Sequence, residues 1–121
     1  MIPSIEKATP AEIQLLQEQK LQELLVYLSE NSPYYKKLFQ EKSIAIESIK
    51  KVSDLQKIPV TTKTQLQENN DHFFCVPQHK IVDFSSTSGT LGNPVTFGLT
   101  ENDLERLAYN EAISFACAGI K

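Results

Sequence analysis

Cysteine is scarce, long apolar runs are missing, and neither sign of charge dominates. The two cysteines, Cys75 and Cys117, lie far apart with no metal-type spacing, so nothing suggests a disulfide scaffold or a zinc motif. They read as a pair of buried free thiols. The formal net charge is −3, with acids and bases interleaved. There is thus no basic stripe to neutralise nucleic-acid phosphates or to meet an anionic membrane. The most apolar late stretch, Ala112 to Ile120, falls far short of the roughly 20 residues needed to cross a bilayer. Met1 to Lys7 lacks the apolar core of a secretory signal. These absences point to a cytoplasmic protein with no nucleic-acid and no membrane partner.

The 121 residues present, 40% of them hydrophobic, suit one globular domain with a modest core. Helix signals dominate residues 1–71. Thr9-Pro10-Ala11-Glu12 has the order of a capping box with proline at the first helical position. Ile13, Leu16, Leu21, Leu24, Leu25 and Leu28 then share one helical face, and the helix is expected to end near Asn31. Ser32-Pro33 starts a second helix that carries Tyr34, Tyr35, Leu38 and Phe39 into an apolar contact. Ser53 with Gln56, and Thr62 with Gln65, mark two short helices on either side of Pro59.

Residues 72–121 differ in character. Phe73 to Val76 form an apolar patch closed by Pro77. Lys80 to Phe84 and Val95 to Phe97 read as strands, and Thr100 with Asp103 caps a last helix that stops at Gly119. The predicted class is α+β, with amino-terminal helices followed by a β-hairpin and a closing helix. Two strands make a marginal sheet. The pattern therefore reads as an incomplete part of a larger domain, and the isolated chain is expected to self-associate through open strand edges and the apolar face of its last helix.

Between the strands lies Ser85-Ser86-Thr87-Ser88-Gly89-Thr90-Leu91-Gly92-Asn93-Pro94. Glycines open backbone dihedrals closed to other residues and permit close approach to a ligand. Hydroxyls and inward amides around such a turn form a nest for phosphate oxygens. The same composition equally suits a solvated turn. A Walker loop is excluded, because the lysine it requires is missing.

Ser88-Gly89-Thr90-Leu91-Gly92-Asn93-Pro94 resembles the phosphate loop of adenylate-forming enzymes. With Ser32-Pro33-Tyr34-Tyr35-Lys36, Ser53 through Lys63, and Gly98 through Leu104, in that order, the chain resembles the start of the phenylacetate–coenzyme A ligase family. The resemblance implies an ATP-dependent ligase that joins a small aryl or related carboxylic acid to coenzyme A through an acyl-adenylate. It implies that Thr87, Ser88, Gly89, Thr90, Gly92 and Asn93 hold the ATP phosphates, with Mg2+ bound through those phosphates. The family's adenine, acid and catalytic-lysine contacts lie beyond this loop, so no catalytic residue and no metal ligand are assigned here, and the chain is expected to be inactive by itself. Leu91 stands where the family usually has a second threonine, and Asn93 where lysine is frequent.

Two other readings remain: a non-catalytic helical interaction module and a stand-alone nucleotide-binding module. Elsewhere the chemistry is thin. His72 and His79 are seven residues apart without a metal-ligand pattern. Asp83 suits a strand end or the loop amides. Tyr34 and Tyr35 suit helix packing, and Lys63 suits a solvated first helical turn.

Overall fold

Local capping sets most of the element order. A computed structural model of the chain describes residues 4–89 and 92–120. Its helices are α1 (Pro10–Asn31), α2 (Pro33–Glu41), α3 (Lys63–Glu68) and α4 (Glu101–Cys117). Strands β1 (Asp83–Ser86) and β2 (Thr96–Leu99) pair antiparallel, with Asp83 opposite Leu99 and Ser86 opposite Thr96. Single-turn 3₁₀ segments fill much of the rest. This is an α+β arrangement with a hairpin between helices, as the residue pattern predicts.

Three reciprocal caps close helix starts. Glu12 N–H donates to Thr9 Oγ1 at 3.4 Å while Thr9 N–H donates back to Glu12 Oε2 at 2.8 Å. Thr62 with Gln65 and Thr100 with Asp103 repeat the exchange at α3 and α4. Each exchange satisfies amides that a helix start otherwise leaves orphaned. The end of α4 is closed by Gly119, at φ 80°, with Ile120 N–H donating to the Phe115 carbonyl at 3.0 Å.

Ser32 both ends α1 and caps α2. Only 1% exposed, its Oγ accepts from Tyr35 N–H and donates to the His72 carbonyl, each at 3.3 Å. The main core is Leu25, Phe39 and Ile49, with Leu21, Leu28, Tyr35, Ile44, Ile46 and Ile58 packed around it. The apolar stripe of α1 is therefore used mainly from Leu21 onward, where α2 and the 46–58 segment lie. Ile13, Leu16 and Leu24 stay exposed. Tyr34 stacks on Phe73 with centroids 4.0 Å apart, and Tyr35 meets the same ring edge-on. Both tyrosines thus serve helix packing.

Four local expectations need correction. The turn Val52–Lys57 starts after Lys51 rather than at Ser53. Asp54, not Gln56, closes it, accepting from the Lys50 and Lys51 amides at 3.0 Å each and pairing with Lys57 at 2.9 Å. A short ionised side chain reaches the tight turn and makes stronger charge-assisted bonds than an amide. The first strand does not begin at Lys80. After Pro77 the chain makes a 3₁₀ turn over Gln78–Lys80, with Lys80 N–H on the Pro77 carbonyl, so β1 is displaced toward the loop. The second strand begins at Thr96, not Val95, and runs past Phe97 to Leu99. Cys75 is half-buried as a free thiol, but Cys117 is exposed, because the last turn of α4 faces solvent.

Gly98 lets the hairpin seat on the preceding segment. A Cβ there would fall 2.7 Å from Ile81 Cδ1 and 2.9 Å from Phe74 Cε1. Among the described residues, no helix is long and apolar enough to cross a membrane.

Candidate functional site

The loop sits at the tip of the hairpin, between β1 and β2. Thr87 fixes its base: the Thr87 amide donates to the Val95 carbonyl, and the Val95 amide donates to Thr87 Oγ1, both at 3.0 Å. Val95, 2% exposed, is buried at that base. The Thr87 hydroxyl oxygen is thus engaged as an acceptor, and its hydrogen remains a donor. Ser88, Gly89, Gly92 and Asn93 are all exposed beyond it. Thr90 and Leu91 lie outside the described residues.

The loop turns back on itself at its glycines. A Cβ on Gly89 would lie 3.0 Å from the Gly92 carbonyl oxygen and 3.4 Å from Pro94 Cδ. Gly92 has φ 128°, a region unfavourable to residues with a side chain. The structure thus brings Thr87, Ser88, Gly89, Gly92 and Asn93 together in one small turn. From residue 81 to residue 100 the sequence contains no lysine, arginine or histidine. Any anion met there would be held by amides and hydroxyls rather than by fixed positive charge.

Asp83 does not reach the loop. It sits at the far end of β1, and its Oδ1 accepts from the adjacent Phe84 amide at 2.9 Å. Lys63, His72 and His79 are exposed. Among the described residues, no group of three His, Cys, Asp or Glu side chains is placed to hold a metal.

Residue patterns did not reveal two amide side chains on the loop's outgoing arm. Gln67 donates its Nε2–H to the Asn93 carbonyl. Asn70 donates to the Thr96 carbonyl at 2.9 Å and accepts from the Thr96 amide at 2.7 Å. The one signal available was the density of amides around residues 67–70, which equally marks a helix end.

A separate cavity of about 810 Å³ opens between α1, the 73–80 segment and the start of α4. Tyr27, Cys75, His79 and Asp103 are among its lining residues, and none of the loop residues is. Burial pushes the Cys75 thiol up, partly offset by a hydrogen bond with Ser32. The protonated, weakly nucleophilic form is therefore favoured. Tyr27 is likewise raised, first by burial, and donates its hydroxyl to the Cys75 carbonyl at 3.3 Å. Asp103 is lowered, chiefly by accepting the Thr100 amide. Its charge belongs to the helix cap.

No family profile matches the sequence. Individual proteins do. The chain is 34% identical over 123 positions to a phenylacetate-coenzyme A ligase of Thermus thermophilus, covering 98% of this chain and 27% of that protein. It is 37% identical over 116 positions to that of Escherichia coli K12, covering 95% and 26%. Among solved structures it superposes on a 2-hydroxyisobutyryl-CoA ligase in complex with 2-HIB-AMP and CoA. That match has a TM-score of 0.76 and 31% identity over 86% of this chain and 23% of the ligase. The chain spans about a quarter of the length of the relatives it matches.

Proposed function

We propose, from the premise that this chain is a segment related to the phenylacetate–coenzyme A ligases, that it supplies the phosphate-binding wall of an ATP-dependent acid–coenzyme A ligase. In that reaction a carboxylate attacks the α-phosphate of ATP, releasing pyrophosphate and leaving an acyl-adenylate. The coenzyme A thiol then displaces AMP to form the thioester. The neighbouring ligase's complex with 2-HIB-AMP and CoA supports this sequence of states.

The observation that carries the reading is the glycine turn, found within a chain related to these ligases along nearly all its length. Gly89 closes to 3.0 Å from the Gly92 carbonyl at its virtual Cβ, a space any side chain would fill. Thr87 and Ser88 offer hydroxyl donors, and the amides of Gly89, Gly92 and Asn93 offer main-chain donors around the polyphosphate. Thr90 joins them by its place in the motif. Such preorganised dipoles suit a group whose charge shifts as pyrophosphate leaves. Mg2+ enters with the ATP phosphates, for the loop itself carries no carboxylate.

No residue of this chain is assigned a catalytic role. Positioning an acid against the α-phosphate requires walls that a loop and a short hairpin do not provide. The acid, a small aryl or related carboxylate, and coenzyme A would be bound by other parts of such a ligase. The 121-residue chain by itself is accordingly inactive, with a loop that holds pyrophosphate only weakly. It also self-associates through the exposed faces of the hairpin and α4, which light scattering would report; a monodisperse monomer at high concentration would count against this.

Calorimetry with ATP–Mg2+ on the 121-residue chain, beside a version extended along its reading frame, tests the assignment. Tight binding by the extended form only is expected. Tight binding by the short chain would instead identify a self-sufficient nucleotide-binding module.

A further inference from the structure

The two arms of the loop are held in different ways. The β-ladder and the Thr87–Val95 bonds tie the two arms to each other, and the described residues of the incoming arm have no hydrogen bond to a side chain from outside the hairpin. The outgoing arm is gripped from outside the hairpin. Gln67, in the last turn of α3, holds the Asn93 carbonyl and lies against Gly92, whose virtual Cβ is 3.4 Å from Gln67 Nε2. Asn70 gives Thr96 both hydrogen bonds that a neighbouring strand would give it, at 2.9 and 2.7 Å.

The spacing matches on both sides. Gln67 and Asn70 are three residues apart, and so are their partners Asn93 and Thr96. The grip therefore runs along the backbone instead of touching it once. Its base is tied on both sides: the Thr62–Gln65 exchange closes the start of α3, and Ser32 holds the His72 carbonyl just beyond Asn70. Both gripping groups are neutral amides, which orient the backbone without adding charge beside an anion.

We propose that Gln67 and Asn70 are positioning residues for the phosphate loop. They hold residues 92–96 so that the loop amides already face the polyphosphate when it arrives. This rests on the phosphate reading of the loop. A glycine-rich turn left free would have to be ordered by the ligand, at a cost in conformational entropy that weakens binding. The amide pair removes part of that cost beforehand.

The test uses the whole 121-residue chain as wild type, Gln67→Ala and Gln67→Leu, with Asn70→Ala as a second site. Amide hydrogen exchange reads the loop without any ligand. Pyrophosphate titration, followed by the NMR shifts of the Gly89 and Gly92 amides, reads binding in the millimolar range. Gln67→Ala should speed exchange at the hydrogen-bonded amides of the loop base, Thr87, Val95 and Thr96, by about tenfold while Leu25, Phe39 and Ile49 stay protected. It should also weaken pyrophosphate by about threefold, with Gln67→Leu behaving alike because it keeps the bulk and loses the donor. Unchanged loop exchange in both Gln67 variants and in Asn70→Ala overturns the proposal. So does faster exchange spread evenly over loop and core, since that marks a general structural role. Faster loop exchange with no pyrophosphate response in the wild-type chain and none in its extended version leaves the grip intact but refutes the phosphate reading, and the positioning role with it.

Discussion

The segment before residue 60 and the hairpin are stabilised by different means. Around Leu25, Phe39 and Ile49 the helices bury side chains against one another. Among the described residues of the hairpin only Val95 is fully buried, while Phe84 and Phe97 are exposed. There the shape comes from a four-pair ladder, the Thr87 lock and two borrowed amides. The first segment gains from apolar area removed from water, which does not depend on direction. The second relies on directional bonds of small net value, each costly to leave unmade when buried. A ligand loop benefits from the second kind of support, because hydrogen bonds fix where amides point and packing alone does not.

The comparison breaks most visibly in the core. Ile49 is 0% exposed, and Ile49→Ala is expected to cost about 2–5 kcal/mol in denaturant unfolding, from lost burial and the cavity left behind. Loop exchange should follow the global loss without a local excess. Gly98→Ala probes the other segment. Its new methyl would meet Ile81 and Phe74 well inside contact distance, at a cost of about 1–3 kcal/mol, with hydrogen exchange rising first over Asp83–Leu99. An equal rise at Leu25 would show that the two segments unfold as one.

Ser32→Ala should fall between core and hairpin in its reach, at about 1–2 kcal/mol, since it removes a helix cap and the hydroxyl's bond to the His72 carbonyl together. Loss of protection at both Tyr35 and the 70–73 turn is the expected pattern. The smallest effect is set by pH. The Lys57 ammonium and the Lys51 and Lys50 amides lower Asp54 to about 2, against about 3.9 for an unperturbed aspartate. Because the folded value is depressed, its contribution is present above the unfolded value and is lost as pH falls from about 4 toward 2. Asp54→Asn should flatten that part of an acid unfolding curve. An unchanged curve would show that the turn is equally ordered without the charge.

Much of the architecture was legible where its cause is local. Thr9 with Glu12, Thr62 with Gln65, and Thr100 with Asp103 sit three residues apart, so the bonds they make are visible in the residue string. Gly119 ends α4 for an equally local reason. The start of β1 was not legible, because Pro77 begins a 3₁₀ turn within a run whose composition also suits a strand. Asp54 was overlooked in favour of Gln56 because the serine-to-glutamine spacing matched a longer helical turn than the one formed. The loop itself was recognisable as a motif, down to its glycines. The hold of Gln67 and Asn70 on it was not, since each reaches 26 residues along the chain and nothing in a neutral amide advertises its distant partner.

Ser32 carries a consequence beyond stability. Its amide ends one helix on the Leu28 carbonyl, while its hydroxyl begins the next and grips the backbone at residue 72, two residues from the asparagine on Thr96. The corner between α1 and α2 and the segment that carries Asn70 therefore share one fixed point.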